Sequence, residues 1–265
     1  SYLCRVVLKN LKMTRKTIAL MVLNVAAAMA IGLCAGIFYK YSLKNDDASG
    51  NDVLRKDMIL CRIAAIADSV DAKIGVAAIF STGDTLLYDN AAATMFSSRT
   101  SGDIAYPLLS VVKFHQALAV CDWLGRNDIP LDSEVQVTPD MLHENTWSPL
   151  RDSCPQGGSF SYRELLEYTL ESSDNNACDI LFSLTGGPEE TDRYIRSQGI
   201  SDFNIECTEV MMHEDISNCY RNWSTPLSAV LLLEDFYATH GADKYSEFVW
   251  QTMASCRTGQ SRIPG

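Results

Sequence analysis

Basic residues are scarce over most of this chain. Of the 22 Lys and Arg among its 265 residues, seven (Arg5, Lys9, Lys12, Arg15, Lys16, Lys40, Lys44) fall within residues 1–44, which hold no acid. The body therefore sets the remaining 15 against 33 Asp and Glu. A nucleic-acid-binding surface needs clustered Lys and Arg to meet phosphates, so nucleic acid is excluded as the partner. No two cysteines stand in C-x-x-C spacing, which argues against zinc; neither a metal nor an organic cofactor is expected. The seven body cysteines (Cys61, Cys121, Cys154, Cys178, Cys207, Cys219, Cys256) are odd in number. Export would permit disulfides, but nothing in their spacing fixes a pairing, and most read as small core hydrophobes. Internal repeats and low-complexity tracts are also missing, which sets solenoids and arrays aside.

What is present begins with one long uncharged run, Thr17 to Tyr39, preceded by Met13-Thr14-Arg15-Lys16. Met13 reads as the true start and residues 1–12 as upstream translation. A basic stretch followed by an apolar one is the pattern of an export signal. The run is also long enough to span a bilayer. Residues 13–44 are therefore expected to be either a cleaved signal peptide or an N-terminal membrane anchor. Either way the body, residues 45–265, is expected to be exported to the periplasm.

Within the body, apolar residues from Asp52 to Val70 recur near helical spacing. Ile74 to Phe80 and Thr85 to Tyr88 read as two strands joined by the turn Ser81-Thr82-Gly83-Asp84. A helix is expected from about Ser110 to Leu124, stopping at Gly125. Ser161-Tyr162-Arg163-Glu164 is a capping box opening another helix. Thr225-Pro226 starts a further one reaching about Thr239, and Asp243 to Ser255 is the last. No strong strand follows the first two, and a two-stranded hairpin is not stable alone. The pattern is α+β, a helical domain with an antiparallel sheet left incomplete.

Three short segments carry candidate chemistry. In Ser110-Val111-Val112-Lys113, a helical backbone puts the amine one turn along from the hydroxyl. A serine hydroxyl is a weak nucleophile until a base takes its proton, and a neighbouring Lys can do so. Taken alone, Ser-x-x-Lys is frequent by chance. Ser173-Asp174-Asn175 follows the capped helix; it suits either a cleft-lining loop or a plain turn or helix cap. Glu209 lies in Cys207–Asp215, and the stretch to Asn222 lacks clear periodicity and reads as a compact surface loop. A carboxylate there can activate water, although Glu206, Glu214 and Asp215 nearby also fit a solvated acidic loop.

In that order the three pieces resemble the class A serine β-lactamases. The segments Tyr106–Ala119, Thr146-Trp147-Ser148-Pro149, Ser173–Ala177 and Asn222–Pro226 are similar to the subgroup containing the PER and CfxA extended-spectrum enzymes. The resemblance implies a β-lactamase/transpeptidase-like fold and a monomer acting on a β-lactam small molecule. It makes Ser110 the acylated nucleophile, Lys113 its proton partner, and Ser173 the shuttle toward the lactam nitrogen. Glu209 becomes the base for the deacylating water. Asn175 contacts the substrate side chain, Trp147 forms an aromatic wall, and His213 stands where many relatives hold that water with Asn. Asp179 and Asn222 stand where many relatives have Asn and Asp, a compensated swap that anchors the loop. The family carries Lys-Thr-Gly on a later strand. Arg257-Thr258-Gly259 follows a helix directly, so the chain is expected to stop before that strand, and this piece to be inactive or poorly folded. A penicillin-binding transpeptidase or carboxypeptidase, or a non-hydrolytic β-lactam sensor domain, shares part of the pattern; both lack the glutamate.

Overall fold

A computed structural model of the chain describes residues 49–70, 72–80, 82–90 and 105–256. The leader and the Arg257-Thr258-Gly259 segment lie outside the described residues. In chain order the elements are α1 (Ser49–Asp68), β1 (Gly75–Ile79), β2 (Thr85–Asp89), α2 (Val112–Arg126), β3 (Glu134–Val137), α3 (Pro149–Ser153), β4 (Gly158–Ser161), α4 (Tyr162–Glu171), α5 (Asn175–Thr185), α6 (Pro188–Ser197), β5 (Phe203–Asn204), α7 (Glu209–Glu214), β6 (Trp223–Ser224), α8 (Pro226–Thr239) and α9 (Lys244–Ser255).

Two compact units divide these elements. The first holds the described residues from Ser49 to Tyr106 together with Thr225–Val230. Its hairpin pairs β1 with β2 antiparallel, from Gly75 opposite Asp89 to Ile79 opposite Thr85. Four of the five β1 residues are buried, so Val76, Ala77 and Ala78 serve as core on both faces of the pleat. Asn90 closes the open end, accepting from the Ile74 N–H at 2.6 Å and donating to the Ala72 carbonyl at 2.9 Å. Gly75 is dictated by space. A Cβ there would lie 2.5 Å from the Tyr106 ring and 2.7 Å from the Pro226 ring.

The second unit, Pro107–Ser224 with the described residues of Leu231–Thr258, is built round α2. That helix is buried along most of its circumference, with Val112, Ala117, Leu118, Ala119, Val120, Cys121 and Leu124 inside. A helix apolar all round belongs at the centre of a core, and α4, α5, α6 and α9 pack against it. Three polar side chains are buried with it: Lys113, His115 and Gln116. Gln116 donates to the Cys178 carbonyl at 2.7 Å and so ties α2 to α5. His115 is stripped of solvent, which pushes its pKa down to about 4 and keeps the ring neutral. Its Nδ1 lies 3.1 Å from the Val111 carbonyl. The capping box of α4 forms with both of its bonds, and the Asp243 carboxylate caps α9.

Four features differ from the sequence reading. Strands β3 and β4 pair antiparallel, Glu134 opposite Ser161 and Val137 opposite Gly158, and β5 pairs with β6. Each is four residues or fewer, too short for alternation to stand out, although Glu134-Val135-Gln136-Val137 does alternate exposed and buried. Helices α5 and α6 are missing from the sequence reading, although α6 is amphipathic and buries Pro188, Thr191 and Ile195 at helical spacing. Their punctuation was present, with Asp174 as cap of α5, Gly186 at a left-handed φ of 97° after it, and Pro188 at the start of α6. Ser110 does not open α2 directly; Leu109–Val111 form a 3-10 turn, and the helix runs through Gly125 to Arg126. The stretch after Cys207 is not irregular loop alone. Thr208 caps the six-residue α7, and a 3-10 turn follows over Ile216–Tyr220. The described cysteines Cys61, Cys121, Cys154, Cys178, Cys207, Cys219 and Cys256 are all free thiols.

Candidate active site

Three helix beginnings in the second unit converge. Lys113 is the second residue of α2, Asn175 the first of α5, and Glu209 the first of α7. Lys113 is the hub. Its Nζ donates to Ser110 Oγ at 3.4 Å and to Asn175 Oδ1 at 2.8 Å, and it ion-pairs in close contact with Glu209 Oε1. The Lys113 and Glu209 side chains are only 3% and 9% exposed, so little water screens the pair. A lone buried ammonium is prohibitively unfavourable; here the carboxylate and two polar oxygens replace its hydration. The position of Glu209 at a helix start adds the favourable end of a peptide dipole.

Backbone conformation around the two serines is unusual. Leu109, immediately before Ser110, has φ 46°, and Ser173 has φ 55°. Side-chain-bearing residues in the left-handed region are strained, and persist where the surroundings fix them. Around Ser173 the surroundings are explicit, because the next three residues each hold the 143–150 segment. The Asp174 carboxylate accepts the Leu150 N–H at 2.7 Å, the Ala177 N–H at 2.9 Å and the Ser148 hydroxyl at 3.0 Å. Burial raises the pKa of Asp174, and those donors oppose the rise. Asn175 donates through Nδ2 to Thr146 Oγ1 at 2.7 Å, and its N–H reaches the Trp147 carbonyl at 3.0 Å. Asn176 accepts the His143 N–H at 3.0 Å and donates to the His143 carbonyl at 3.2 Å.

The segment carrying Glu209 is held at both ends. Asp179 on α5 accepts the backbone N–H groups of Glu209 at 2.7 Å and Val210 at 2.8 Å. Burial, ahead of every other cause, pushes Asp179 up to about 6. Asn222 is fully buried. It accepts from the N–H groups of Glu206 and Cys207, both at 2.9 Å, and donates to the Cys207 carbonyl at 2.8 Å. The two members of the swap thus grip the segment separately, Asp179 after Thr208 and Asn222 before it.

The structure therefore brings Ser110, Lys113, Asn175 and Glu209 into one bonded group and leaves the other three candidates outside it. Among the described residues no hydrogen bond joins the Ser173 hydroxyl to Ser110 or Lys113. Trp147 is 60% exposed, with its indole N–H on the Ser172 carbonyl at 2.9 Å. His213 is exposed on α7, and among the described residues no hydrogen bond links it to Glu209. Thr146, Ser148, Arg151 and Asn176 were not singled out from sequence. Their importance comes from bonds to residues 24 or more positions away, or from gathering carbonyls, and no local pattern announces either. Among the described residues no group of three or more His, Cys, Asp and Glu side chains is placed to hold a metal ion.

A Ser-x-x-Lys whose amine meets a buried glutamate thus sits in a mixed fold of helices and antiparallel strands. The chain matches the Beta-lactamase enzyme family over residues 75–265, and it belongs to that family. It is 38% identical over 207 residues to a β-lactamase of Bacteroides uniformis, covering 77% of this chain and 66% of that protein. It is 34% identical over 163 residues to the extended-spectrum β-lactamase PER-1 of Pseudomonas aeruginosa, covering 60% and 53% respectively. A crystal structure of a class A β-lactamase from Bacteroides cellulosilyticus superposes with a TM-score of 0.66 at 36% identity, covering 77% of this chain and 70% of that one. The chain spans about two thirds of the length of the first of these relatives.

Proposed function

We propose that this protein hydrolyses the β-lactam amide of penicillins and cephalosporins through an ester on Ser110, and so confers resistance to them. The observation that carries the reading is the contact of one buried amine, Lys113 Nζ, with both Ser110 Oγ and Glu209 Oε1. In acylation the Ser110 hydroxyl gives up its proton along this path, and Oγ bonds to the lactam carbonyl carbon. The C–N bond then breaks, and the nitrogen leaves with a proton delivered by the Ser173 hydroxyl. That hydroxyl takes in its place the proton released by Ser110 and passed on by Lys113, so Glu209 ends the step as a carboxylate. The Ser110 backbone N–H is one donor for the oxyanion. In deacylation Glu209 takes a proton from water, the hydroxide attacks the ester carbon, and Ser110 recovers its proton. Trp147 provides a wall for the bound drug, Asn175 meets its amide side chain, and His213 borders the water. The leader directs the body to the periplasm, where it works as a monomer, and no cofactor takes part.

Intact-mass spectrometry of the complete gene product mixed with a penicillin tests the reading. A mass increase on Ser110 that rises and then clears, with ring-opened product released, is expected. An adduct that never clears would assign the protein to the penicillin-binding transpeptidases or the drug sensors instead.

A further inference from the structure

We propose that Arg151 is a positioning residue for substrate recognition, its guanidinium organising the 143–147 segment that presents Trp147 and orients Asn175. The inference rests on the β-lactam reading above.

The two N–H groups of one nitrogen, Arg151 Nη1, are shared among three backbone carbonyls: His143 at 2.8 Å, Glu144 at 2.6 Å and Thr146 at 2.9 Å. Nε and Nη2 are occupied by Asp152 Oδ1 at 3.1 and 2.7 Å. Peptide oxygens repel one another, so three of them converge only round a positive donor. The side chain is 20% exposed, which leaves that centre partly shielded from competing water. A planar guanidinium can serve the carbonyls on one side and a carboxylate on the other; an ammonium is a single point charge without that fork.

The consequence reaches the site along a short path. Fixing the Thr146 carbonyl places the backbone that carries the Thr146 hydroxyl, and that hydroxyl accepts Asn175 Nδ2. With Nδ2 so engaged, Asn175 Oδ1 is turned to Lys113 Nζ. Trp147 follows Thr146 directly and is tied at both its carbonyl and its indole N–H. Arg151 therefore sets the wall and the amide that face a bound drug. The path ends at Lys113 Nζ; that amine also meets Glu209, but the Glu209 backbone is held independently, by Asp179. The two chemical steps should separate in degree: acylation depends on Arg151 more than deacylation does.

The test uses the complete gene product with Arg151→Ala and Arg151→Lys, a cephalosporin that deacylates slowly, and stopped-flow measurement of both steps. Acylation efficiency is expected to fall by up to about 10²-fold in Arg151→Ala, the order a misplacement of about 1 Å can cost. Arg151→Lys should fall in the same direction, and the deacylation rate should fall less than acylation in both. Adding Trp147→Ala to Arg151→Ala should lower acylation less than the two separate losses multiplied together. Unchanged acylation in both variants, equal losses in both steps, or fully multiplicative losses would overturn the proposal. If Arg151→Ala does not fold, Arg151→Lys decides by the same two rates. A wild-type protein that is never acylated sinks the β-lactam reading itself, an outcome distinct from variants that acylate normally.

Discussion

The Asp179 carboxylate accepts the backbone N–H of Glu209 at 2.7 Å, so the proposed base is seated by an acid on a different helix. The second oxygen takes the Val210 N–H at 2.8 Å. Only the ionised form offers two full acceptors, yet burial pushes this group up to about 6.

That conflict gives a pH prediction with a definite sign. The folded pKa of Asp179 lies above its unfolded value, so between about pH 4 and 6 the native state binds more protons. Its share of stability is present below pH 4 and is lost as pH rises to 6, at most about 3 kcal/mol. His115 works the other way. Its folded pKa of about 4 is depressed, so its share is present above about 6.5 and lost as pH falls toward 4. The two offset one another in the wild type. Denaturant titrations from pH 4 to 7 should show stability rising more steeply with pH in Asp179→Asn than in the wild type. A variant curve parallel to the wild type would show that Asp179 does not titrate there.

Deacylation should also weaken on acidification, because a protonated Asp179 loses one good acceptor at the start of α7. Single-turnover deacylation measured from pH 7 down to 5 should decline with a component near pH 6 that Asp179→Asn lacks.

Replacing the proposed base should trap the ester. Glu209→Gln is expected to slow deacylation by about 10²–10⁴-fold, the usual range for a lost general base, while Ser110 is still acylated. Mass spectrometry would then find the adduct persisting; turnover at the wild-type rate would place the base elsewhere.

The buried Asn222 amide should matter more than its size implies. Asn222→Ala leaves the N–H groups of Glu206 and Cys207 and the Cys207 carbonyl without their partner. Each unsatisfied buried group is worth about 1–3 kcal/mol, so thermal melting should fall well below that of a surface Asn→Ala control. A melting temperature equal to that control would show the clasp to be dispensable.

Gly75→Ala should destabilise by about 1–3 kcal/mol, the usual range for overpacking, because the added methyl meets the Tyr106 and Pro226 rings. Tyr106→Leu in the same chain should recover part of the loss, and a Gly75→Ala protein that melts like the wild type would refute the contact.

Local chemistry along the chain determined a good deal. The hairpin of β1 and β2, the capped starts of α4, α8 and α9, and the three-residue spacing of Ser110 and Lys113 are short-range facts, set by a turn between two apolar runs, by hydroxyl and carboxylate caps, and by the helical repeat. Tertiary structure decided the rest. Ser173-Asp174-Asn175 was open between a cleft loop and a helix cap, and it is a cap whose neighbours also reach the site. Glu209 came to Lys113, 96 positions away, only because Asp179 and Asn222 hold its segment. Arg151 gathers carbonyls from residues that carry no mark of it in sequence. Backbone oxygens and buried amides have no composition signature; which of them meet is settled by packing, since each must find a partner once water is gone.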